Sequence, residues 1–566
     1  MACREYFARG AAPEAAREET PGFRAVFREP PADLEIRAEL ARLAGEPALL
    51  NRREADLALV SRDPRSGRFR LLRDFGQTPL YYALLPDGFA WSFSYRELLD
   101  FLDQAAPDLA EPDEATLFDY LATHYRHVFR DPGRTFHRGV RQVPSGAYVD
   151  IGKEGAVTGS WMDLAPDPAA GGLSPEEAAE RLMELLGRSV DWRARAALRP
   201  AFTVSSGLDS AGVAALAARS LGAPLDVFSV GYGGPAATEY DETEGVRELL
   251  RARPDWRWTH LVLDRPDLWG ETEKLVKLTR SPVITVTWLA YHLLTRRMEG
   301  FREVFTGLGG DESLAGEYGH FFYFFADLKA AGDQDRLERE IEAWSRLHDH
   351  PVFRKNRAEV ERFWARNLDF STGEIKVDQE VYLSGAEFFN ADWFEAFGRA
   401  RPPMPRPYTG FLANRLFQEI SFETTPPTLW GFNMGNEALG LRGVSPFINP
   451  ALFKFCLSLP AGLRYEEGLT KALYRRGLRG LLPESLRTGS RKTGFNAPAD
   501  RWFNEARTHR LTLEILNDGP LARRGWLRKG AAERLLKEHK SGRANHMMRL
   551  WPLLNASLFL LTENTL

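Results

Sequence analysis

The stretch AFTVSSGLDSAGVAALAARSLG, at residues 201–222, decides the fold of this chain. A short, mostly apolar run is followed by a loop of small residues and by an alanine-rich segment that ends at a glycine, which is the pattern of a buried strand, a tight loop and a helix. Working outward, further strands are predicted at 225–232, 259–264 and 303–307, with helical segments between them. Strands that alternate with helices in this way predict a parallel, doubly wound sheet.

The loop SSGLDS, at 205–210, predicts a phosphate site at the carboxyl end of the first strand. Backbone N–H groups in a small-residue loop, together with the start of a helix, favour a negatively charged group. The hydroxyl groups of Ser205, Ser206 and Ser210 add hydrogen-bond donors. The carboxylate of Asp209 repels phosphate, and its presence therefore indicates a bound Mg²⁺. The alternative is an ordinary strand–turn–helix junction that Ser and Asp side chains cap.

Two further loops favour the ligand-binding interpretation. TGLGGDE, at 306–312, also follows a strand, and its Asp311 is a candidate to complete a metal site with Asp209. SRKTGF, at 490–495, brings basic side chains, among them Lys492, into a loop that contains glycine. A lone lysine in such a loop is usually a solvated charge, but three loops in this order indicate one functional site.

Composition narrows the class of protein. The chain has 566 residues, of which 44% are hydrophobic and 27% charged, as in ordinary globular proteins. Its 74 basic and 78 acidic residues give a net charge of -4, which argues against a general nucleic-acid binder. Cys3 and Cys456 are too few for a disulfide framework or a cysteine-based metal cluster. Since neither a signal peptide nor a long apolar segment is evident, we expect a cytoplasmic protein without membrane partners.

The sequence divides into two regions. The first, at 1–165, carries strand signals over residues 55–160, such as LALVSRDPRSGRFRLLRD at 57–74, where a turn with Pro and Gly joins two strands. A segment rich in Pro, Gly and Ala, at 164–174, is typical of a linker. Residues 175–566 contain the alternating strands and helices and then mostly helical sequence. The predicted fold class is therefore α/β, with a β-rich N-terminal domain and a doubly wound C-terminal domain that has a large helical part.

The order of SSGLDS, FSVGY, TGLGGDE and LTKALYRRGLRGLLPESLRTGSRKTGFNAP resembles the asparagine synthetase family, which includes β-lactam synthetases and the cyclases of lasso peptides. The resemblance covers about residues 50–150 and 175–505. Members of this family activate a carboxylate by adenylation, release pyrophosphate, and let an amine displace AMP. The resemblance implies an N-terminal domain of the Ntn-hydrolase, glutaminase type and a C-terminal ATP-pyrophosphatase (synthetase) domain.

The resemblance also implies roles for individual residues, with ATP and Mg²⁺ as cofactors. The family's phosphate loop reads S-G-G-x-D-S, and Ser206 stands here in place of the first glycine. The ATP-binding residues implied are Ser205, Gly207, Asp209 and Ser210 at the β- and γ-phosphates, and Val230 and Gly307 at the adenosine. Asp209 and Asp311 are implied as the Mg²⁺ ligands. Lys492 matches the family lysine that stabilises charge during acyl transfer.

The N-terminus departs from the family pattern. Glutamine-dependent members begin Met-Cys-Gly-Ile, whereas this chain begins Met1-Ala2-Cys3, so that removal of Met1 exposes Ala2. The family's Asn-Gly-Glu segment, which binds glutamine, is also missing. These departures imply a degenerate glutaminase domain, and a nucleophilic role for Cys3 is the lesser alternative.

The synthetase region departs from the pattern too. Leu308 stands where asparagine synthetases carry Glu and β-lactam synthetases carry Tyr, and leucine cannot act as acid, base or hydrogen-bond donor. In NMGNEALGLRGVSPFINP, at 433–450, Asn433 replaces an aspartate and Arg442 replaces a glutamate. These changes argue against free aspartate as the substrate and imply a rebuilt acceptor pocket.

Two other segments leave alternatives open. EYGHFFYFF, at 317–325, predicts a core helix; the alternative is an aromatic wall for a peptide substrate, with Glu317 or His320 as a base. EYDE, at 239–242, either reaches the site from the second strand or begins a helix.

The leading functional prediction is an ATP-dependent, AMP-forming amide ligase or cyclase. Its partners would be a carboxylate substrate, such as a ribosomal peptide or natural-product intermediate, and a protein that delivers this substrate. The amine is intramolecular in a cyclisation, or it is free ammonia or a separate amine. The alternative from another class is a catalytically silent binding or scaffold protein, which Leu308 and the changed segment 433–445 motivate.

Overall fold

The computed structural model describes residues 4–7, 17–20, 23–26, 58–62, 66–75, 78–123, 125–234, 240–347, 355–376, 385–397, 404–490 and 497–564. In the first region, strands β1 to β10 are Arg4–Phe7, Arg17–Thr20, Phe23–Val26, Ala58–Arg62, Phe69–Arg73, Tyr81–Leu85, Gly88–Ser92, Val140–Gln142, Ala147–Gly152 and Gly155–Ser160. Helices α1 and α2 are Tyr95–Ala105 and Glu114–Ala122.

The first region consists of two packed sheets. One has the strand order β1-β7-β6-β8 and the other has the order β10-β9-β5-β4-β3-β2. Val60 and Leu71 of one sheet lie in the same buried cluster as Tyr82, Phe89 and Trp91 of the other, so the two inner faces form a common core. The prediction of a β-rich first region is confirmed, whereas the glutaminase type of this region stays a prediction.

The second region begins with alternating helices and strands. They are α3 Pro175–Ala196, β11 Pro200–Thr203, α4 Leu208–Leu221, β12 Asp226–Tyr232, α5 Thr243–Ala252, β13 Arg257–Leu263, α6 Leu268–Thr279, α7 Val286–Thr295 and β14 Glu303–Phe305. The remaining elements are α8 Gly310–Leu314, α9 His320–Ala330, α10 Gln334–Leu347, α11 Arg357–Asn367, β15 Leu368–Asp369, β16 Glu374–Ile375, α12 Ala391–Phe397, α13 Phe411–Ser421, α14 Thr425–Glu437, β17 Arg442–Val444, α15 Pro450–Ser458, β18 Tyr465–Glu466, β19 Leu469–Thr470, α16 Ala472–Gly477, α17 Glu484–Thr488, α18 Ala499–Trp502, α19 Ala506–Asp518, α20 Pro520–Arg523, α21 Ala531–Lys540 and α22 Met547–Glu563.

A five-stranded parallel sheet with the order β13-β12-β11-β14-β17 organises the second region. The chain builds β11, β12 and β13 toward one edge and then returns to add β14 and β17 on the other side of β11. The order therefore reverses between β11 and β14, where Phe202 pairs in register with Phe305. Ligands of such sheets bind at the carboxyl ends of the strands beside this reversal. The predicted doubly wound parallel sheet is confirmed, and the loops after β11 and β14 flank its reversal point.

The two regions share one hydrophobic core. Leu98 and Phe118 of the first region belong to the same buried cluster as Val286, Trp430 and Leu553 of the second. The predicted boundary between domains at 1–165 and 175–566 stays a prediction.

The segment between the regions, predicted as a linker at 164–174, packs on the second region. The Asp167 N–H donates to Ser458 Oγ at 2.8 Å, and the Tyr408 hydroxyl donates to the Leu164 carbonyl. This segment is therefore fixed at two points rather than being a free spacer.

Two apolar helices are buried in the second region. The run of aromatic residues at 320–325 lies in α9 and is buried, with Phe321, Phe324 and Phe325 fully enclosed. The aromatic wall is therefore wrong, and the core-helix prediction is confirmed. The apolar helix α22 is buried along most of its length. Within the described ranges, no helix has the length and apolar character that crossing a bilayer requires.

Candidate functional site

The loop between β11 and α4 is shaped by its own serines. The Ser205 N–H donates to Ser210 Oγ at 3.0 Å, and the two hydroxyl oxygens lie 2.9 Å apart. The Gly207 N–H donates to Ser205 Oγ at 3.1 Å. Gly207 is the N-cap of α4, and in the described part of the chain no side chain caps this end. No described Ser or Asp side chain caps this helix start, and the choice between a ligand-binding loop and an ordinary strand–turn–helix junction stays a prediction.

The loop after β14 packs directly against this serine loop. A Cβ atom added to Gly307 would lie 2.4 Å from Ser210 N, and one added to Gly310 would lie 2.4 Å from Asp209 Cγ. Only glycine permits such an approach, since real Cβ atoms do not come this near to other heavy atoms. The glycines of TGLGGDE thus bring Asp209 and Asp311 to one place. Gly307, implied as part of the adenosine pocket, lies in this contact between the loops.

Lys471 joins the two aspartates. Its Nζ lies 2.5 Å from Asp209 Oδ2 and 2.7 Å from Asp311 Oδ1, and 7% of its side chain is exposed. The backbone of Lys471 is left-handed, with a φ of 61°, and directs the side chain from the turn after β19 into the site. A Cβ on Gly316 would lie 2.2 Å from Lys471 Cε, so Gly316 makes room for the lysine.

Sequence reasoning missed Lys471. In the sequence it stands in LTKALYRR, close to Arg475 and Arg476, and no local pattern distinguishes it from other basic residues. Its contact with Asp209 joins residues 262 positions apart, and only the tertiary fold shows it. A usable signal is the Gly316 position, because a glycine shortly after GGDE marks a point of close approach.

The two aspartates fit the role of Mg²⁺ ligands. Their oxygens converge on one ammonium nitrogen, so they also converge on any cation that takes its place. Across the described ranges, the His, Cys, Asp and Glu side chains form no group of three or more that could hold a metal ion. Mg²⁺ commonly binds one or two carboxylates together with substrate phosphates and water. Asp209 and Asp311 therefore suit a metal that arrives with a nucleotide.

Arg475 supports the basic side of the site. Its Nε donates to the Thr470 carbonyl at 2.8 Å, and its Nη1 donates to the carbonyls of Arg487 at 2.6 Å and Gly489 at 3.0 Å. Burial lowers the pKa of Arg475 to about 10, against the opposing charge of Asp209. Arg475 thereby ties the strand before Lys471 to the segment that leads toward residue 490.

The predicted catalytic residue Lys492 lies outside the described residues, as does Cys3.

The predicted adenosine side lies at β12. Val230 is half-buried and pairs in register with Leu261 of β13. The acidic run after β12 does reach this side, because the Ser206 N–H donates to Glu242 Oε2 at 3.2 Å and the Tyr232 N–H donates to Asp241 Oδ1 at 3.1 Å. Glu242 is also the N-cap residue of α5, so the run both contacts the site and begins a helix.

Of the residues from which a rebuilt acceptor pocket is predicted, Leu308 lies in the site and Arg442 does not. Leu308 lies in the site loop, where the Ser445 hydroxyl donates to its carbonyl. Asn433 is buried in α14. Arg442 begins β17 opposite Glu303, the first residue of β14, and so stands at the amino edge of the sheet. The loops of the site follow the carboxyl edge, and the structure does not bring Arg442 to them.

A buried group of charged residues lies behind Asp311. The His320 Nε2 lies 2.7 Å from Glu419 Oε2, and the Glu317 N–H donates to His320 Nδ1 at 3.2 Å. Both ring nitrogens of His320 are thus engaged, which makes His320 a structural residue rather than a base. Burial acts to raise the pKa of Glu419, but its neighbours His320 and Arg415 hold it at about 2.

Glu317 is a partly exposed residue beside this buried group. Its carboxylate is partly exposed and lies 4.0 Å from the guanidinium of Arg126, a residue of the first region. Arg126 is also 4.0 Å from Glu419. The first region therefore contributes a cation beside the loop that carries Asp311.

Comparisons with known proteins show which family this sequence is similar to. A sequence model of the asparagine synthase family matches residues 181–562. Putative glutamine-hydrolysing asparagine synthetases of Mycobacterium tuberculosis and Mycobacterium bovis are 25% identical over 497 residues, which are 85% of this chain and 72% of each relative. Carboxyethyl-arginine β-lactam synthase of Streptomyces clavuligerus is 30% identical over 181 residues, which are 31% of this chain and 34% of that enzyme.

Proposed function

This chain belongs to the asparagine synthase family, and from that premise we propose that it is an ATP-dependent amide ligase that adenylates a carboxylate. Family membership and the two kinds of relative support ATP-dependent amide-bond formation in general. The observation that carries the finer proposal is the convergence of Asp209, Asp311 and Lys471 at the reversal point of the sheet. Two carboxylates and a lysine beside a serine loop suit the binding and cleavage of a nucleoside triphosphate.

The proposed reaction has two steps. In the first, a substrate carboxylate oxygen attacks the α-phosphorus of ATP, and the bond from that phosphorus to the bridging oxygen breaks, so that pyrophosphate leaves with the electron pair. In the second, an amine nitrogen attacks the acyl carbon of the adenylate. The carbon–oxygen bond to AMP then breaks, and the nitrogen loses a proton. The products are an amide, AMP and pyrophosphate.

The chain's own residues have distinct tasks in this proposal. The serine loop and the uncapped start of α4 bind the pyrophosphate portion. The hydrogen bonds that the Ser205 and Gly207 N–H groups donate within the loop fix its shape. Asp209 and Asp311 would hold Mg²⁺, which would neutralise charge on the phosphates. Lys471, and Lys492 as the family resemblance implies, donate to the oxygens on which negative charge develops. Val230 is the proposed contact for the adenosine.

The proposed carboxylate belongs to a peptide or natural-product intermediate, which a partner protein delivers. Leu308 in the site loop supports this choice, since leucine supplies no polar contact to a small, charged amino acid. The amine is proposed to belong to the same substrate, so that the reaction is a cyclisation, because the glutaminase signature is missing from the first region. Ammonia is the second candidate for the amine. Because the glutaminase signature is missing, this ammonia would have to come from a source other than the chain's own first region.

The first test measures nucleotide binding. Calorimetry with α,β-methylene-ATP and Mg²⁺ should give binding by the wild type and at least about tenfold weaker binding by Asp209→Asn and Asp311→Asn. Asp335→Asn, which changes an exposed carboxylate on α10, is the matched control and should bind as the wild type does. A folded wild type that binds no nucleotide would instead favour the scaffold interpretation.

The second test follows products. Incubation with MgATP and a candidate substrate should release AMP and pyrophosphate, and ADP as the sole nucleotide product would overturn the proposal. Mass spectrometry of the substrate separates the two amines. A cyclisation removes one water from the substrate, whereas amidation by ammonia replaces a hydroxyl group with an amino group.

A further inference from the structure

Lys471 occupies the carboxylate oxygens that a metal ion would use. We infer that Lys471 neutralises Asp209 and Asp311 in the nucleotide-free protein and gives way when a metal ion enters, so that metal binding depends on nucleotide. The inference rests on the proposed function, because it assumes that the metal and the nucleotide bind at this site.

The geometry leaves the ammonium and a metal ion in competition. The Lys471 Nζ contacts Asp209 Oδ2 and Asp311 Oδ1 at 2.5 and 2.7 Å. A metal that bound the same two oxygens at normal Mg²⁺ distances of about 2.1 Å would lie against the ammonium. Two cations at such a separation repel each other strongly. The ammonium must therefore leave these oxygens when the metal arrives.

The surroundings of Lys471 determine where its charge can go. Gly316 closes one side, since a Cβ there would lie 2.2 Å from Lys471 Cε. The partly buried guanidinium of Arg475, on the same turn, adds positive charge near Asp209. An ammonium that leaves Asp209 thus needs a new anion, and the phosphates of a nucleotide in the adjoining serine loop are suited to receive it.

The competition also explains why the metal needs the nucleotide. Within the described ranges the metal gains two carboxylate ligands at most, because no larger acidic or histidine group is present there. It must displace a paired lysine to reach them. A phosphate supplies further ligands to the metal and a partner to the lysine at once. The expected order is entry of metal and nucleotide together, with weak binding of the metal alone.

The experiment uses Mn²⁺ as the probe, and electron paramagnetic resonance counts the free ion in titrations of the whole chain. Without nucleotide, the variant Lys471→Met, which keeps the length of the side chain and removes its charge, should bind Mn²⁺ at least tenfold more tightly than the wild type, a change of about 1.4 kcal/mol. With α,β-methylene-ATP, the affinity of the wild type for Mn²⁺ should rise by a larger factor than that of the variant. Unchanged or weaker Mn²⁺ binding by Lys471→Met without nucleotide would overturn the inference.

Two variants serve as controls. Lys454→Met removes a lysine that pairs with Asp163 at 2.6 Å outside the site, and it should leave Mn²⁺ binding unchanged. Adding Asp209→Asn to Lys471→Met should abolish the gain in Mn²⁺ affinity, and a gain that persists would contradict the assigned ligands.

Thermal unfolding gives a second readout. Removal of Lys471 leaves two adjacent carboxylates without their shared cation, so Lys471→Met and Lys471→Gln should unfold at lower temperature than the wild type. Millimolar Mn²⁺ should restore more of this loss in the variants than it adds to the wild type. An equal effect of Mn²⁺ on all three proteins would contradict the inference. A gain in Mn²⁺ affinity in a protein that forms no AMP would keep this inference and reject the proposed reaction.

Discussion

Single glycines set the distance between the two loops of the site. Gly307 touches the backbone of Ser210, and Gly310 touches the carboxyl group of Asp209. A flexible side chain could move away from an added methyl group, but the backbone atoms of Ser210 cannot do so without moving α4. The acidic pair of the site therefore depends on the absence of a side chain at Gly307.

The variant Gly307→Ala should weaken binding of α,β-methylene-ATP with Mg²⁺ by at least about tenfold, because its Cβ would lie 2.4 Å from Ser210 N. Calorimetry measures the loss. The matched control is Gly187→Ala in the middle of α3, where an added Cβ meets no described atom within 4 Å. It should bind the nucleotide as the wild type does, and its free energy of unfolding should be about 1 kcal/mol higher than that of the wild type. Equal binding by both variants would show that the loops can separate freely.

Because of Glu312, we expect the free energy of unfolding to depend on pH. Burial first, and then the charge of Asp311, raise the pKa of Glu312 from 4.5 to about 8. Between these pH values the folded chain binds more protons than the unfolded chain, so the free energy of unfolding falls as the pH rises. An amide does not titrate, and Glu312→Gln should therefore lose less stability between pH 5 and about pH 8 than the wild type, by a few kcal/mol at most.

Urea unfolding at several pH values measures this effect. The control is Asp327→Asn, since burial raises the pKa of Asp327 to about 6, and this variant should flatten only the lower part of the curve. A Glu312→Gln curve that runs parallel to the wild type would contradict the assignment.

At the scale of elements, sequence patterns predict the features that depend on residues close together in the chain. The strand–loop–helix unit at 201–222 and the burial of α9 follow from local patterns of small and apolar residues. The role of Lys471 and the position of Arg442 do not. The first depends on how β19 and α16 meet α4, and the second depends on which end of β17 faces the loops. Both are set by packing between elements that are distant in sequence.

Arg475 yields a prediction at this scale, because it links β19 to the segment after α17. Lysine cannot reach the carbonyls of Thr470, Arg487 and Gly489 together. Arg475→Lys should therefore lower the free energy of unfolding by about 2 kcal/mol and speed hydrogen exchange at residues 484–490. Exchange measured by mass spectrometry tests this. Arg476→Lys changes a neighbouring arginine with partly exposed partners, Glu176 and Glu466, and should leave exchange at 484–490 unaltered.

For the whole molecule, the contact between the two regions matters most. Trp430 of α14 packs against Tyr95 and Phe129 of the first region, with ring centroids 4.9 and 5.0 Å away. Composition and local patterns predict two regions but not that their side chains would enter one core. That outcome depends on α14 and α22, which are buried along most of their length.

Arg280 is the charged counterpart of this core. It is 2% exposed, and its guanidinium contacts Asp103 of the first region at 2.5 Å and Glu563 of α22 at 2.6 Å. Arg280→Met should cost about 3 kcal/mol in urea unfolding, because it removes the guanidinium that pairs with the buried carboxylate of Glu563. Arg296→Met breaks the more exposed pair with Glu271 and should cost less than about 1 kcal/mol. Similar losses in both variants would contradict the importance of the buried network.

The shared core has an evolutionary consequence. A gene that lost the codons for 1–165 would encode a chain in which Val286, Trp430 and Leu553 lose part of their apolar surroundings. Such a chain would be prone to aggregation before any chemistry could be selected. Natural selection on folding alone is therefore enough to retain the first region in descendants of this gene, whether or not that region ever performs a reaction of its own.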